Sequence, residues 1–149
     1  MPNIDNIKKY KRIHMIGIGG VSMSGIAEIL LNWGFVVSGS DRIDSELLHT
    51  LAKAGIKTFV GHDAKHVEGA DCVVYTAAIH DDNPELVHAK ELGIPVIERS
   101  DFLGELTRCY QNTIAISGTH GKTTTTSLVS LCFLEAQKDP SIQVGAIIK

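Results

Sequence analysis

The residues best equipped for chemistry stand together at Ser117-Gly118-Thr119-His120-Gly121-Lys122-Thr123-Thr124. Gly-Lys-Thr between a short apolar run and a helical stretch is the core of a phosphate-binding loop. Backbone N–H groups of such a loop surround a β-phosphate. Lys122 places a compact positive charge between β- and γ-phosphates. The Thr123 hydroxyl is placed to coordinate Mg²⁺ bridging the same two phosphates. The usual loop has a glycine six residues before its lysine, whereas here that position is Ile116 and the first glycine, Gly118, lies four before Lys122. The loop is a short variant.

A second glycine cluster, Gly17-Ile18-Gly19-Gly20-Val21-Ser22-Met23-Ser24-Gly25, also sits between an apolar run and a helical pattern. Glycines there permit a tight turn and let backbone N–H groups approach a diphosphate at the positive end of a helix dipole. The third glycine of the dinucleotide fingerprint is replaced by Ser22, so Ser22 and Ser24 offer hydroxyls in its place. Asp41, in Gly39-Ser40-Asp41, follows about 20 residues later, where an acid that binds ribose is expected. The chemistry implied is binding of a diphosphate-bearing nucleotide of open identity. Two such loops in 149 residues call for two different phosphorylated ligands facing one cleft.

Both loops need strands before them and helices after them. Short apolar runs alternate with helical periodicity, the signature of a parallel α/β sheet. Strands are expected at 12–18, 35–38, 57–60, 71–76 and 95–98, and helices at 21–33, 46–53, 84–92 and 101–109. Asn83-Pro84-Glu85 carries a helix start: a capping Asn, Pro at the first helical position and an acid in the first turn. The cycle then restarts with a strand at 113–117, the loop at 118–121, a helix at 122–136 and a last strand at 143–148. A strand, loop and helix of about 40 residues cannot bury a core of their own. The expectation is therefore a Rossmann-like domain over 1–108, followed over 109–149 by the opening strand, P-loop and helix of a second α/β domain, in a piece of a larger protein. The apolar residues of 113–149 would then pack on a second copy, shift onto the first domain or remain without fixed order.

Composition narrows the function classes. Hydrophobic residues are 44% and charged residues 21%, which supports a buried core. The net charge of -3 supplies no broad basic field, so a nucleic-acid surface is excluded as a first reading. No apolar run approaches the roughly 18 residues of a membrane span. The first residues lack the apolar stretch of a signal peptide. Cys72, Cys109 and Cys132 lack metal-ligand spacing and read as reduced, buried thiols of a cytoplasmic protein. His62 and His66 stand four apart, but Gly61 and Asp63 mark a loop and no third ligand is near, so they read as exposed or capping side chains. His80-Asp81-Asp82 reads as a solvated loop, and Trp33 as packing.

The short loop Gly118-Thr119-His120-Gly121-Lys122-Thr123-Thr124 resembles the ATP-binding loop of the Mur ligases, which build the peptide stem of bacterial peptidoglycan. Gly17 to Ala27, Gly39-Ser40-Asp41, Thr76-Ala77-Ala78-Ile79 and Asn83-Pro84-Glu85 resemble one member in order and spacing. His120 favours that member over relatives with Asn there, and Ser22 stands where it more often has Gly. The resemblance implies an ATP-dependent ligase, with Mg²⁺, that activates the carboxylate of UDP-N-acetylmuramate as an acyl phosphate and joins it to L-alanine. A family look-alike that recycles muropeptides joins a tripeptide instead. Carried over residue by residue, Gly19, Gly20, Val21, Ser22, Met23 and Ser24 would meet the UDP diphosphate. Ser40 and Asp41 would lie near the nucleotide, and Thr76, Ala77, Ala78 and Ile79 would line the other side of that pocket. The residues of 118–124 would hold ATP, with Lys122 catalytic and Thr123 on the metal. The family's further metal ligands and its alanine site are expected beyond Lys149, leaving these 149 residues inactive alone. Two other readings compete: an NAD-binding redox or regulatory module, which leaves the second loop without a purpose, and a non-catalytic nucleotide-sensing domain.

Overall fold

A computed structural model of the protein describes residues 7–144. The chain divides into two compact units, Met1–Gln111 and Asn112–Lys149. In the first, strands β1 (Arg12–Ile16), β2 (Val36–Asp41), β3 (Lys57–Val60), β4 (Cys72–Tyr75) and β5 (Val96–Glu98) alternate with helices α1 (Val21–Asn32), α2 (Glu46–Lys53), α3 (Pro84–Glu91) and α4 (Arg99–Arg108). A short 3-10 helix, Ala64–Val67, precedes β4. The sheet order is β3-β2-β1-β4-β5, and all four pairings are parallel. This is the Rossmann-like α/β architecture, with its topological switch between β1 and β4.

The pleat sorts side chains to two layers. Ile13 and Met15 of β1, Val37 of β2, and Cys72 and Val74 of β4 join Ile26, Leu30, Leu48, Leu51, Phe102 and Leu106 in the larger apolar layer. Ile16 of β1 and Val73 of β4 point the other way and pack with Val67, Leu86 and Ala89. Fully burying each large aliphatic or aromatic side chain contributes about 1.5–3 kcal/mol. The polar residues of the same phase, His14 on β1 and Ser40 on β2, are therefore carried into the second layer, where both are fully buried.

Most expected elements stand where the pattern put them, and the differences have local causes. The first strand stops at Ile16 because Gly17 turns with φ 83°, a conformation glycine adopts without strain. The second strand runs three residues past Ser38, through Gly39, Ser40 and Asp41. Two parallel neighbours hold it, with Ile16 opposite Ser40 and Val60 opposite Asp41, so tertiary pairing overrides the breaking tendency of glycine. A Cβ on Gly39 would lie 2.6 Å from both the Met15 carbonyl oxygen and Ile18 Cδ1. Gly39→Ala is thus expected to destabilise the first unit by about 1–3 kcal/mol. A urea midpoint equal to that of the wild type would contradict this packing.

In the second unit α5 (Lys122–Glu135) forms as expected. Residues 113–117 carry no strand. A strand is made by its partner, and among the described residues of this unit no other strand is available to pair with it. Residues 143 and 144 are likewise not strand, and the rest of the strand expected at 143–148 lies outside the described residues. Leu128, Leu131, Phe133 and Leu134 of α5 are exposed. Cys72 and Cys109 are buried, but Cys132, expected to be buried, is exposed on α5. The low amphipathicity of the Thr-rich helix explains that error: no clear inner face could be read from it.

Candidate nucleotide sites

The parallel sheet gathers the loops after all five strands at one edge, the usual ligand edge of such folds. At that edge the glycine loop leaves β1. Gly17 and Ile18 donate their N–H groups to the Ser40 carbonyl at 2.8 and 3.0 Å, and Gly20 donates to Gly17 at 3.2 Å. Gly19 donates its N–H to Asp41 Oδ2 at 2.9 Å. A Cβ at Gly19 would sit 2.7 Å from that same oxygen, so glycine is required for the loop to lie on the end of β2. Gly20 begins α1 without a side-chain cap, and the first turn of the helix contains no acid. The positive end of the helix dipole is therefore offered outward, as an anion cradle requires.

Several residues expected at this site have defined places. Val21 is exposed and Ser22 half-buried at the mouth of α1. Met23 points into the apolar core, so its backbone N–H is what it can present. Ser24 is buried, and its hydroxyl donates to the Val21 carbonyl at 2.9 Å. Asp41 accepts from Gly19 with one oxygen and from the Ile43 N–H with the other, at 3.1 Å, so its first task is to pin the loop. Thr76, Ala77, Ala78 and Ile79 form a turn closed by Ile79 N–H to Thr76 O at 3.0 Å. That turn lies beside the glycine loop: a Cβ at Gly17 would touch the Thr76 side chain at 3.5 Å and Ile79 Cδ1 at 3.9 Å. The structure thus brings the 17–24 and 76–79 segments together across the switch between β1 and β4.

Ser40 faces elsewhere. Its hydroxyl donates to Glu85 Oε2 at 2.5 Å and lies 3.1 Å from His62 Nδ1. Glu85, read from the sequence as a first-turn acid, is completely buried. His62 Nδ1 approaches its Oε2 at 3.1 Å and His66 Nδ1 its Oε1 at 2.6 Å. His62 and His66 are thus not exposed or capping residues; both turn inward. His14 Nε2 lies 3.7 Å from Glu85 Oε1, within reach of charge attraction but without a hydrogen bond of its own. Its Nδ1 shares a 2.9 Å bond with Ser38. Phe59 stacks on His66 at 3.9 Å between centroids. Burial pushes the Glu85 carboxyl up, but the His14 ring and the bonds from Ser40 and His66 outweigh it and hold the group at about 2. Nothing in local periodicity signals this cluster, because its members come from β1, β2, the loop after β3, the 3-10 helix and α3. Among the described residues no group of three or more His, Cys, Asp or Glu is arranged to hold a metal ion. Asn83 caps α3 as expected, accepting from Glu85 and Leu86 at 3.0 and 3.3 Å. His80, Asp81 and Asp82 are exposed.

In the second unit Gly121 precedes α5 with φ 77°, a left-handed turn that aims successive N–H groups around the loop. No side chain caps this helix, and its first turn has no acid. Lys122 Nζ is held by the carbonyl oxygens of Gly118 at 2.5 Å and Thr119 at 3.4 Å. Thr119, His120, Thr123 and Thr124 are exposed. Thr126 and Ser130 return their hydroxyls to Lys122 and Thr126 carbonyls at 2.8 and 2.7 Å. A shallow groove lined by Lys8, Tyr10, Lys11, Trp33, Phe35 and Val36 opens at the start of β1 and β2, the edge opposite the glycine loop. Trp33 packs there against the core and against Tyr110, 5.4 Å between ring centroids.

Residues 12–111 match the profile described as Mur ligase family, catalytic domain. A UDP-N-acetylmuramate–L-alanine ligase of Acetivibrio thermocellus is 56% identical over 137 residues, covering 92% of this chain and 29% of that protein. One from Clostridium botulinum is 54% identical over 144 residues, covering 96% and 31%. The crystal structure of UDP-N-acetylmuramate-alanine ligase from Thermotoga maritima superposes with a TM-score of 0.86 at 37% identity, covering 91% of this chain and 32% of that one. A UDP-N-acetylmuramate:L-alanyl-gamma-D-glutamyl-meso-diaminopimelate ligase from Neisseria meningitides gives 0.77 at 33% identity, covering 85% and 40%. The chain therefore spans about a third of the length of these relatives.

Proposed function

This chain belongs to the Mur ligase family, and from that premise we propose that it forms the UDP-sugar-binding part and the ATP loop of a ligase joining L-alanine to the carboxylate of UDP-N-acetylmuramate. The observation that carries the reading is the cradle at the β1–β4 switch, where Gly19 is pressed onto Asp41 and the 76–79 turn closes the neighbouring side. Backbone N–H groups at the start of α1 receive the diphosphate. Residues 76–79 line the pocket, and Ser40 and Asp41 hold the loop from beneath. The relatives that are more than 50% identical are named for L-alanine, which favours that amine over the tripeptide.

The remaining chemistry is proposed for residues 112–149, as the opening of an ATP-binding domain. Its exposed Leu128, Leu131, Phe133 and Leu134 are what a helix would present to covering strands. A muramate carboxylate oxygen attacks the γ-phosphorus of ATP, giving acyl phosphate and ADP. The amine of L-alanine then attacks the acyl carbon, forming the amide and releasing phosphate. Negative charge collects in the first step. Lys122, now held by loop carbonyls, exchanges them for β- and γ-phosphate oxygens and stabilises that charge. The exposed Thr123 hydroxyl beside it fits a hard cation, and Mg²⁺ there would neutralise phosphate charge. Such chemistry belongs to the cytoplasm, where ATP and nucleotide sugars are made. Among the described residues no helix is long and apolar enough to cross a membrane. Because the relatives are about three times as long, the 149 residues alone are expected to bind the UDP sugar without completing the ligation.

Calorimetric titration with UDP-N-acetylmuramate, UDP and NAD tests the reading. The UDP compounds should bind and NAD should not. Preference for NAD would replace the ligase with a redox or regulatory module, and L-alanine-dependent phosphate release from the 149 residues would refute the division of labour.

A further inference from the structure

We propose that Glu85, His62 and His66 are positioning residues for the glycine loop, acting through Ser40, so that the segment after β3 is coupled to the loop after β1. The proposal rests on the reading of the glycine loop as a ligand site, although its first readout needs no ligand. Three successive amides of that loop end on two residues: Gly17 and Ile18 donate to the Ser40 carbonyl, and Gly19 donates to Asp41 Oδ2. Where Ser40 and Asp41 stand therefore decides where those amides point. The segment after β3 grips the same two residues from the other side. Gly61 donates its N–H to the Asp41 carbonyl at 2.8 Å. The next residue, His62, places Nδ1 3.1 Å from both Ser40 Oγ and Glu85 Oε2.

The proton inventory fixes the direction of each bond in the cluster. A carboxyl held at about 2 is ionised at neutral pH and only accepts. Ser40 spends its one proton on Oε2. His62 and His66 must then carry theirs on Nδ1 to face the two oxygens at 3.1 and 2.6 Å. Bonds to an ionised acceptor are about twice as strong as neutral ones, and at a buried carboxylate water does not replace a lost partner. His14 adds charge attraction from 3.7 Å. Phe59 of β3, stacked on His66, extends the cluster to the edge strand of the sheet. Ser40 and Glu85 are fully buried, so they reach the loop through the Ser40 carbonyl and not by touching a ligand. A contiguous set of bonds thus joins residues 61–66 to residues 17–19, with Ser40 and Asp41 as the shared link.

The test compares wild type with Ser40→Ala and His62→Gln. Ser40→Ala deletes the hydroxyl but keeps the carbonyl that holds Gly17 and Ile18, and His62→Gln removes the ring on the other side of the link. Amide hydrogen exchange without ligand should quicken by about 10-fold at residues 17–19 in both variants, relative to the amides of α4. With UDP as the probe, calorimetric affinity should fall by about 3–10-fold in each. Coupling is reciprocal, so UDP should shift the Nδ1 resonances of His62 and His66 in the wild type and leave them in place in Ser40→Ala. A merely structural cluster would lower the melting temperature, raise exchange evenly over the first unit and leave UDP affinity and the histidine resonances unmoved, which would overturn the proposal. If Ser40→Ala fails to fold, wild-type exchange at 17–19 in His62→Gln overturns it equally. Absence of UDP binding by the wild type would remove the cradle reading, while the exchange rates still decide the coupling. Wild-type binding of UDP, with both variants matching it in exchange and affinity, removes the coupling alone.

Discussion

Lys122→Ala is expected to lower ATP-dependent ligation by about 10²-fold or more, measured as L-alanine-dependent phosphate release by the ligase that contains these residues. The physical reason is the concentration of charge as a carboxylate approaches a triphosphate, which water solvates only by reorganising. A lysine already tethered at its loop, with Nζ on the Gly118 and Thr119 carbonyls, has only to exchange those two oxygens for phosphate oxygens. The same substitution should leave UDP-N-acetylmuramate affinity within about twofold, because Lys122 belongs to the second unit and the glycine cradle to the first. Equal losses in turnover and in UDP-sugar affinity would contradict the assignment of separate ligands to the two loops.

Glu85→Ala should destabilise the first unit by about 3 kcal/mol or more, read as a shift in the urea midpoint. The substitution strands Ser40, His62 and His66, which all bond this carboxylate. Buried polar groups left without partners cost about 1–3 kcal/mol each. Glu85→Gln keeps the volume and one acceptor oxygen, so its loss should be smaller. The carboxyl also fixes a pH response. Its folded value of about 2 lies below the ordinary 4.5, so between these values the unfolded chain binds more protons than the folded one. The Glu85 contribution is present above about pH 4.5 and is lost as the pH falls toward 2. Wild-type stability should drop across that window, and Glu85→Gln should flatten the drop. An identical acid profile in the two proteins would show that the buried carboxylate is not the group responsible. Because Ser40 also accepts the Gly17 and Ile18 N–H groups through its carbonyl, loosening Glu85 should reach the cradle too, lowering UDP affinity alongside stability.

Much of the fold was legible locally. Helix Glu46–Lys53 and strand Lys57–Val60 stand at the spans the apolar spacing indicated, since leucines three apart favour a helix and the short Thr-Phe-Val stretch favours a strand. The cap at Asn83 was equally legible because capping is a contact between neighbours in sequence. The strand expected at 113–117 was not formed, although its composition is that of a strand, because propensity cannot provide a ladder partner. The extension of β2 through Gly39 shows the converse, with partners on both sides sustaining a strand where composition argued for a turn.

By itself the sequence determined the alternating α/β order, the two glycine loops and the resemblance to a ligase family, because each depends on residues close together along the chain. Only the tertiary structure decided that Ser40 turns inward to Glu85, that His14, His62 and His66 surround that carboxylate, and that Arg99 reaches Ser22. These contacts join residues 19 to 77 positions apart. They follow from strand order and pleat phase, which bring distant segments to one edge and one face of the sheet, and neither quantity is encoded in any short window of sequence.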